Sequence, residues 1–411
     1  MGSVKKELNN IFEQFLKKES LFKNKKVLQA SYIPEEIRHR DKQITQIANI
    51  LSPALRMEKP SNIFIYGKTG TGKTLSARYL AEQMLTMADN KKIPLKIIYI
   101  NCKLKKVADT EYRLIAQLTR EFGKEIPPTG LPTEEVYNIF FKILDEKKGA
   151  ILLILDEIDQ LVKKAGDEMI YNLTRINSEL KNAQTTIIGI SNDLIFSNNL
   201  DPRVKSSLSE EEVIFPPYNA VQLQDILKGR SGEAFKGGVL GEGVIQKCAA
   251  YAAREHGDAR RALELLRVAG ELAERKGKDT ITMKNIDEAE DTIERDRVLE
   301  IVRNQPKQFQ GTLYSILLNK ANSRNTYNSK NKFIQTGDVY DTYKDLCNKV
   351  ALRPLTQRRV SDIIAELDML GIINAKVISK GRFGRTREIS IILPNSIEVK
   401  IKKILEDDLF G

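Results

Sequence analysis

Residues 62–74 constrain the fold more than any other stretch of the chain. Ile63, Phe64, Ile65 and Tyr66 form a short apolar run of the kind a parallel sheet buries on both faces. Gly67-Lys68-Thr69-Gly70-Thr71-Gly72-Lys73-Thr74 follows at once and satisfies G-x-x-x-x-G-K-[ST] at each fixed position. From Lys73 onward, Leu75, Tyr79, Leu80 and Met84 recur at helical spacing. Strand, glycine loop and helix in that order make an anion cradle. The glycines let backbone N–H groups turn inward, and the helix N-terminus adds positive potential. Lys73 then reaches the β- and γ-phosphates of a nucleotide, and the Thr74 hydroxyl is a ligand for Mg²⁺.

A parallel sheet needs further strands, and the chain supplies them. Lys96–Cys102, Ala150–Asp159 and Thr185–Asn192 are apolar runs separated by helical patterns at 109–123 and after Pro132. The pattern predicts an α/β, doubly wound domain from about 60 to 217. Ligand groups gather at strand carboxyl ends in such sheets. Asp156 is therefore aimed at the Mg²⁺ held by Thr74, and Glu157 is placed to polarise an attacking water. Asn192 ends its strand and either holds that water or only forms a turn.

Composition narrows the remaining classes. At 411 residues there is room for two to four domains, and 41% apolar with 29% charged residues marks a globular chain. The net charge of +11 points to a polyanionic partner or, more blandly, to a solvated surface. Cys102, Cys248 and Cys347 stand far apart without a C-x-x-C, which argues for buried thiols in a reducing compartment and against a disulfide framework. No apolar run reaches membrane-spanning length and no signal-peptide pattern is present, so the expectation is a cytoplasmic protein with no membrane partner. Leu8, Ile11, Phe12, Phe15 and Leu16 share one helical face, suited to docking on the protein's own domain or to a membrane surface.

Pro216-Pro217 marks a boundary beyond which strands stop. Helices are predicted at 220–230, 242–255, 259–275 and 284–303. One opens with Gly257-Asp258-Ala259-Arg260, where an arginine opposes the helix dipole. A specific anion would explain Arg260, as would a solvated face. From 304 on, helices at 312–321, 337–351 and 356–370 precede two short strands, 375–379 and 388–392, which describes a winged helix-turn-helix. Thr356, Gln357, Arg358 and Arg359 lie off the apolar stripe at the start of the third helix, where a recognition helix meets base edges. The hairpin Lys380-Gly381-Arg382-Phe383-Gly384-Arg385-Thr386-Arg387 carries Lys380, Arg382, Arg385 and Arg387 for phosphates or the minor groove. Winged helices also mediate protein contacts; the uncompensated cations at this tip favour DNA.

Assembled, the chain resembles the archaeal replication initiators related to origin recognition complex subunits, AAA+ ATPases with a C-terminal winged helix. The resemblance spans about 30 to 400. It rests on residues 32–41, Gly67–Thr74, Asp156-Glu157-Ile158-Asp159, Ser191-Asn192, Asp201–Leu208, Phe215–Asn219 and Gly257–Leu263. It implies a nucleotide-binding base at 1–217, a helical lid at 218–303 and a DNA-binding winged helix at 304–411. Ile33, Pro34 and Arg40 would line the adenine pocket, with Tyr218 at the lid hinge. Asn192 would be the sensor-1 residue, and Arg260 the sensor-2 arginine reaching the γ-phosphate. Residues near 107–131 would be an initiator-specific insertion that touches DNA. The family's arginine finger falls at or near Ser207, which is no cation, leaving Arg203 nearby. The implied function is a slow ATPase using ATP/ADP and Mg²⁺, nucleoid-associated, that binds double-stranded origin DNA sequence-specifically and helps recruit the replicative MCM helicase. A paralogous initiator is a further implied partner. The rival readings are a AAA+ helicase or clamp loader, and a DNA-binding regulator whose nucleotide is structural.

Overall fold

The alternation of apolar side chains along the central strands decides the architecture of the first unit. In the computed structural model the described residues are 13, 19–103, 110–127, 129–196, 200–208, 210–325, 334–379, 385–391 and 393–410. At 321–325, 379, 385, 395 and 396 the description covers the backbone alone. Strands β1 (Ile63–Tyr66), β2 (Leu95–Asn101), β3 (Gly149–Asp156), β4 (Ala183–Ser191) and β5 (Glu211–Ile214) form one parallel sheet, ordered β2-β3-β4-β1-β5. Ile63, Ile65, Leu152, Ile154, Ile188 and Ile190 share one face with Ile47, Leu80 and Met84 of the helices Asp41–Leu51 and Lys73–Lys91. Phe64, Ile151, Leu153 and Leu155 turn to the other face and pack with Leu114, Phe140 and Leu161. Both faces are covered, as a parallel sheet requires. β3, β4 and β1 are adjacent, so Gly67, Glu157 and Asn192, each just past a strand end, arrive at the same edge.

β5 was not expected from sequence. It pairs with β1 alone and buries only Val213, while Glu211, Glu212 and Ile214 stay exposed, so no apolar run announces it.

The helices Ala220–Ala234, Val244–Arg254 and Ala259–Arg275 follow the sheet, close to the predicted ranges. Residues 19–39 pack on these helices although they precede the sheet in sequence. Lys23 and Asn24 donate their backbone N–H groups to the Ala234 carbonyl, and the Phe22 and Phe235 rings stack at 4.8 Å. The Ser20 hydroxyl and the Leu21 N–H both donate to the Glu274 carboxylate. Farther along, the Tyr32 hydroxyl donates to Glu233 and the Arg38 guanidinium pairs with Asp225 at 3.0 Å. The apolar face expected over residues 4–19 lies outside the described residues apart from Glu13 and Glu19.

The chain divides into two compact units at Asp287/Glu288, a boundary within the helix Met283–Arg303. The second unit holds the helices Lys307–Asn325, Thr336–Lys349 and Gln357–Met369 and a three-stranded antiparallel sheet ordered β6-β8-β7. Its strands are β6 (Ile334–Gln335), β7 (Ile373–Ser379) and β8 (Arg385–Ile391). Ile316, Tyr343, Ile363, Leu367 and Ile389 meet in its core. The α/β class, the helical lid and the winged helix agree with the sequence expectation. An additional helix, Asn395–Phe410, closes the second unit by burying Ile397, Ile401, Leu405 and Leu409. All three cysteines are buried and none is in a disulfide. Among the described residues no helix is long and apolar enough to cross a membrane.

Candidate functional site

Gly70 and Gly72 adopt left-handed backbone angles, with φ of 68° and 89°, which a side chain would resist. Gly72 begins the helix Lys73–Lys91 without any side-chain cap, so no side chain competes for the first N–H groups. The Lys73 amine is folded back onto the loop, donating to the Gly67 and Lys68 carbonyls at 2.7 Å each. Burial draws its pKa down to about 8; nearby Arg260 adds to that effect and Asp156 opposes it.

The Thr74 hydroxyl donates to Asp156 Oδ2 at 2.9 Å, and the Tyr99 hydroxyl donates to the same oxygen at 2.7 Å. The other carboxylate oxygen, Oδ1, accepts the Glu157 N–H at 2.9 Å. Thr74 and Asp156 thus present adjacent oxygen donors of the hard type that Mg²⁺ prefers. Burial, reinforced by that carboxylate, pushes the Tyr99 hydroxyl pKa well up, so Tyr99 stays a donor to it. Glu157 holds a left-handed backbone, φ 55°, and its carboxylate lies 3.6 Å from the Lys103 amine.

Above the loop is a cavity of about 280 Å³, near the lower end for small-molecule sites. Ile33 and Pro34 line it together with Ile226 and Gly229 of the helix Ala220–Ala234. Gly70–Thr74, Asn192, Tyr218 and Arg260 line it as well. Glu157 and Arg40 are not among its lining residues. Arg40 lies behind the loop, 2% exposed, where its Nε donates to the Thr71 carbonyl at 2.8 Å.

Arg260 reaches the cavity because its helix is docked on the loop. Asp258 caps the helix Ala259–Arg275, accepting the Arg260 N–H at 2.7 Å, and Ala259 donates its N–H to the Gly70 carbonyl at 3.2 Å. A Cβ on Gly70 would sit 1.6 Å from Asp258 Oδ1. Sequence reasoning singled out Arg260 and passed over Asp258, although an aspartate just before a helix is a cap signal. Arg203 is turned onto Asp201, with bonds of 3.0 and 3.1 Å. The Ser207 carbonyl accepts from the Asn62 amide at 2.8 Å. Of the expected insertion, the helix Glu111–Glu121 is described, while 107–109 and Pro128 lie outside the described residues.

In the second unit Thr356 caps the helix Gln357–Met369, accepting the Arg359 N–H. Thr356, Gln357, Arg358 and Arg359 are all exposed, while Val360, Ile363, Ile364 and Leu367 are buried. Arg359 lies 3.7 Å from Glu366 and 3.9 Å from Asp362, a loose pairing that leaves it exposed. Arg387 is committed to the fold. Its Nη1 donates to the Ser361 carbonyl at 2.6 Å and to the Ser361 hydroxyl at 2.7 Å, tying the hairpin to the helix. Lys380, Gly381, Arg382 and Phe383, and the side chain of Arg385, lie outside the described residues.

Three family models match the chain: an AAA domain at 56–194, a Cdc6 AAA+ ATPase-type lid domain at 224–291 and a CDC6 C-terminal winged helix domain at 300–399. The ORC1-type DNA replication protein of Pyrococcus furiosus is 52% identical over 411 residues, covering 99% of this chain and 95% of that one. ORC1-type DNA replication protein 1 of Methanosarcina mazei is 51% identical over 400 residues, 97% of this chain and 94% of that one. A solved structure of the Aeropyrum pernix ORC1 protein in complex with DNA is 43% identical, with a TM-score of 0.81 over 95% of this chain and 98% of that one.

Proposed function

Because the chain belongs to the family of ORC1-type DNA replication proteins, we propose that it is an ATP-switched initiator that binds double-stranded origin DNA sequence-specifically. In this reading it helps recruit the replicative MCM helicase, alone or beside a paralogous initiator. The observation that carries the proposal is the docking of the Arg260 helix on the phosphate loop, in a chain that also presents Gln357, Arg358 and Arg359 on an exposed helix start. Nucleotide phosphates would meet Gly67–Thr74, with Thr74 and Asp156 holding Mg²⁺, Ile33 and Pro34 against the base, and Asn192 and Arg260 near the γ-phosphate. Bound Mg²⁺ would offset phosphate charge. The proposed division is a base ending at 217, a lid at 218–303 that works together with residues 19–39, and a winged helix from 304. Support for DNA binding comes from the DNA complex of the Aeropyrum pernix ORC1 protein. The test is a salt titration on origin-proximal and random duplexes with ATP or ADP. Equal affinity for all four combinations would remove both the switch and the sequence specificity.

Hydrolysis is proposed to be slow. An arginine finger is worth about 10³–10⁵ in rate; Ser207 stands at or near its place, and Arg203 is already held by Asp201. One observation favours the second reading, a DNA-binding regulator with a structural nucleotide. Glu157 pairs with Lys103 and does not line the cavity. Turnover with Glu157→Gln decides between them. Under the ATPase reading the variant binds ATP as wild type does and loses hydrolysis; absence of turnover in wild type as well supports the structural nucleotide, and equal measurable turnover in both shows that Glu157 is not the base.

A further inference from the structure

Arg40 is buried in a way that base recognition does not explain. The residue is 2% exposed, and among the described residues none of its partners is a carboxylate. Its guanidinium instead spans three segments of chain. Nε donates to the Thr71 carbonyl of the phosphate loop at 2.8 Å, Nη2 to the Pro216 carbonyl at 2.6 Å and Nη1 to the His39 carbonyl at 3.3 Å. The Tyr218 ring lies face-on with its centroid 3.7 Å from the guanidinium carbon, and the Phe215 ring at 5.6 Å. Burial draws its pKa below the ordinary arginine value. A planar cation with several donors in fixed directions cannot follow one partner without moving against the others.

The segments it joins have different allegiances. Thr71 belongs to the loop that cradles phosphate. Pro216 and Tyr218 form the passage from β5 into the helix Ala220–Ala234, and Tyr218 donates its N–H to the Gly257 carbonyl just before Asp258. His39 ends the segment 19–39, and its ring bonds Asp225 of that helix at 2.9 Å. Arg40 is also the residue at which the chain enters the helix Asp41–Leu51 under the sheet. One guanidinium therefore sits where loop, hinge and lid-bound segment meet.

We propose that Arg40 is a positioning residue that couples the phosphate loop to the lid hinge, so that occupation of the loop by nucleotide phosphates is felt at 215–219 through its fork. The inference rests on the nucleotide reading above. It separates the two ends of the ligand: the base meets walls that move with the lid, whereas the phosphates alone reach the hinge through Arg40.

The experiment compares ATP with adenosine on the full chain, wild type and Arg40→Lys, by affinity and by amide hydrogen exchange at Tyr218 and Ala259. Lysine keeps the charge and loses the fork. In wild type, ATP should protect both amides beyond what adenosine does. In Arg40→Lys, adenosine affinity should stay as in wild type while the extra protection given by ATP falls by about tenfold, the worth of one charge-assisted hydrogen bond. A merely structural role would lower ATP and adenosine binding together. Should Arg40→Lys fail to fold, Tyr218→Leu removes the ring from the guanidinium, and the ratio of ATP to adenosine protection at Ala259 cancels any direct loss of cavity wall. An unchanged ratio in the folded variant overturns the inference while leaving nucleotide binding intact. Absence of ATP binding by wild type overturns the nucleotide reading and this inference with it.

Discussion

Gly70→Ala tests whether the lid helix is docked on the phosphate loop as described. An alanine Cβ would stand 1.6 Å from Asp258 Oδ1, well inside any real contact, so the carboxylate must leave. Displacing it gives up the cap of the helix Ala259–Arg275, worth about 1 kcal/mol. It also breaks the bond from the Ala259 N–H to the Gly70 carbonyl, about 1 kcal/mol more. The docked arrangement should therefore lose about 2 kcal/mol, or roughly 30-fold in population. Alanine at a left-handed φ of 68° adds strain of about 1–2 kcal/mol, but that falls on the loop whether or not the lid is docked. The assay is hydrogen exchange at the Ala259 amide, with Asp258→Ala as the second edge of a double-mutant cycle. Gly70→Ala should cut protection about 30-fold, and adding Asp258→Ala should bring the loss back to about fivefold, because the clash is gone and the bond can re-form while the cap stays lost. Additive losses, with the double variant worse than either single one, would refute the close approach of Asp258 to the loop.

Lys73 predicts a pH dependence. With its free amine near pKa 8 and anionic phosphates raising that value on binding, ATP affinity should be full below pH 8 and decline as pH rises above it. Lys73→Met should bind more weakly with that decline abolished, as measured by titration of a fluorescent ATP analogue. The same depressed pKa means that the folded state disfavours charged Lys73, so the stability of the nucleotide-free protein should rise between pH 8 and the ordinary lysine range near 10.4, a rise that Lys73→Met removes. Arg260→Ala should leave adenosine affinity unchanged and bring the ATP:ADP affinity ratio toward one; a wild-type ratio would make Arg260 a surface residue. Replacing Arg358 or Arg359 by Ala should cost about 1–3 kcal/mol on the preferred duplex and much less on random DNA if either pairs with guanine. Equal losses on both duplexes would move specificity elsewhere.

What the sequence disclosed depended on how local each signal is. The phosphate loop is legible because eight consecutive residues must surround one anion, and Asp156-Glu157 because an apolar strand ends there. The helix Asn395–Phe410 had a signal that went unread: Ile397, Ile401, Leu405 and Leu409 recur every four residues. β5 offered none, being a half-solvated edge. Residues 32–41 stood out only through the family resemblance, and neither reading foresaw that Arg40 would lie behind the phosphate loop. Its partners at 71 and 216 are distant in sequence and are backbone carbonyls, which every residue has. Arg387 likewise looked like a free cation of the hairpin, and its bond to Ser361 depends on a tertiary neighbour.

The packing of residues 19–39 against the lid has a consequence for how the chain comes to be folded. Ser20 and Glu274 are partners separated by 254 positions. At a synthesis rate of about 5–20 residues per second, roughly 10–50 s pass between the emergence of one and the other. Until the helices from Ala220 onward emerge, Phe22, Val27 and Leu28, all buried in the finished molecule, have no lid to pack on. The sheet needs pairings as distant as Ile63 with Glu211, but the lid must wait for ends farther apart still, so it closes last. A ribosome-bound chain stalled when residue 217 has just cleared the exit tunnel, with the lid still inside it, should therefore have an ordered sheet and an N-terminal segment open to protease.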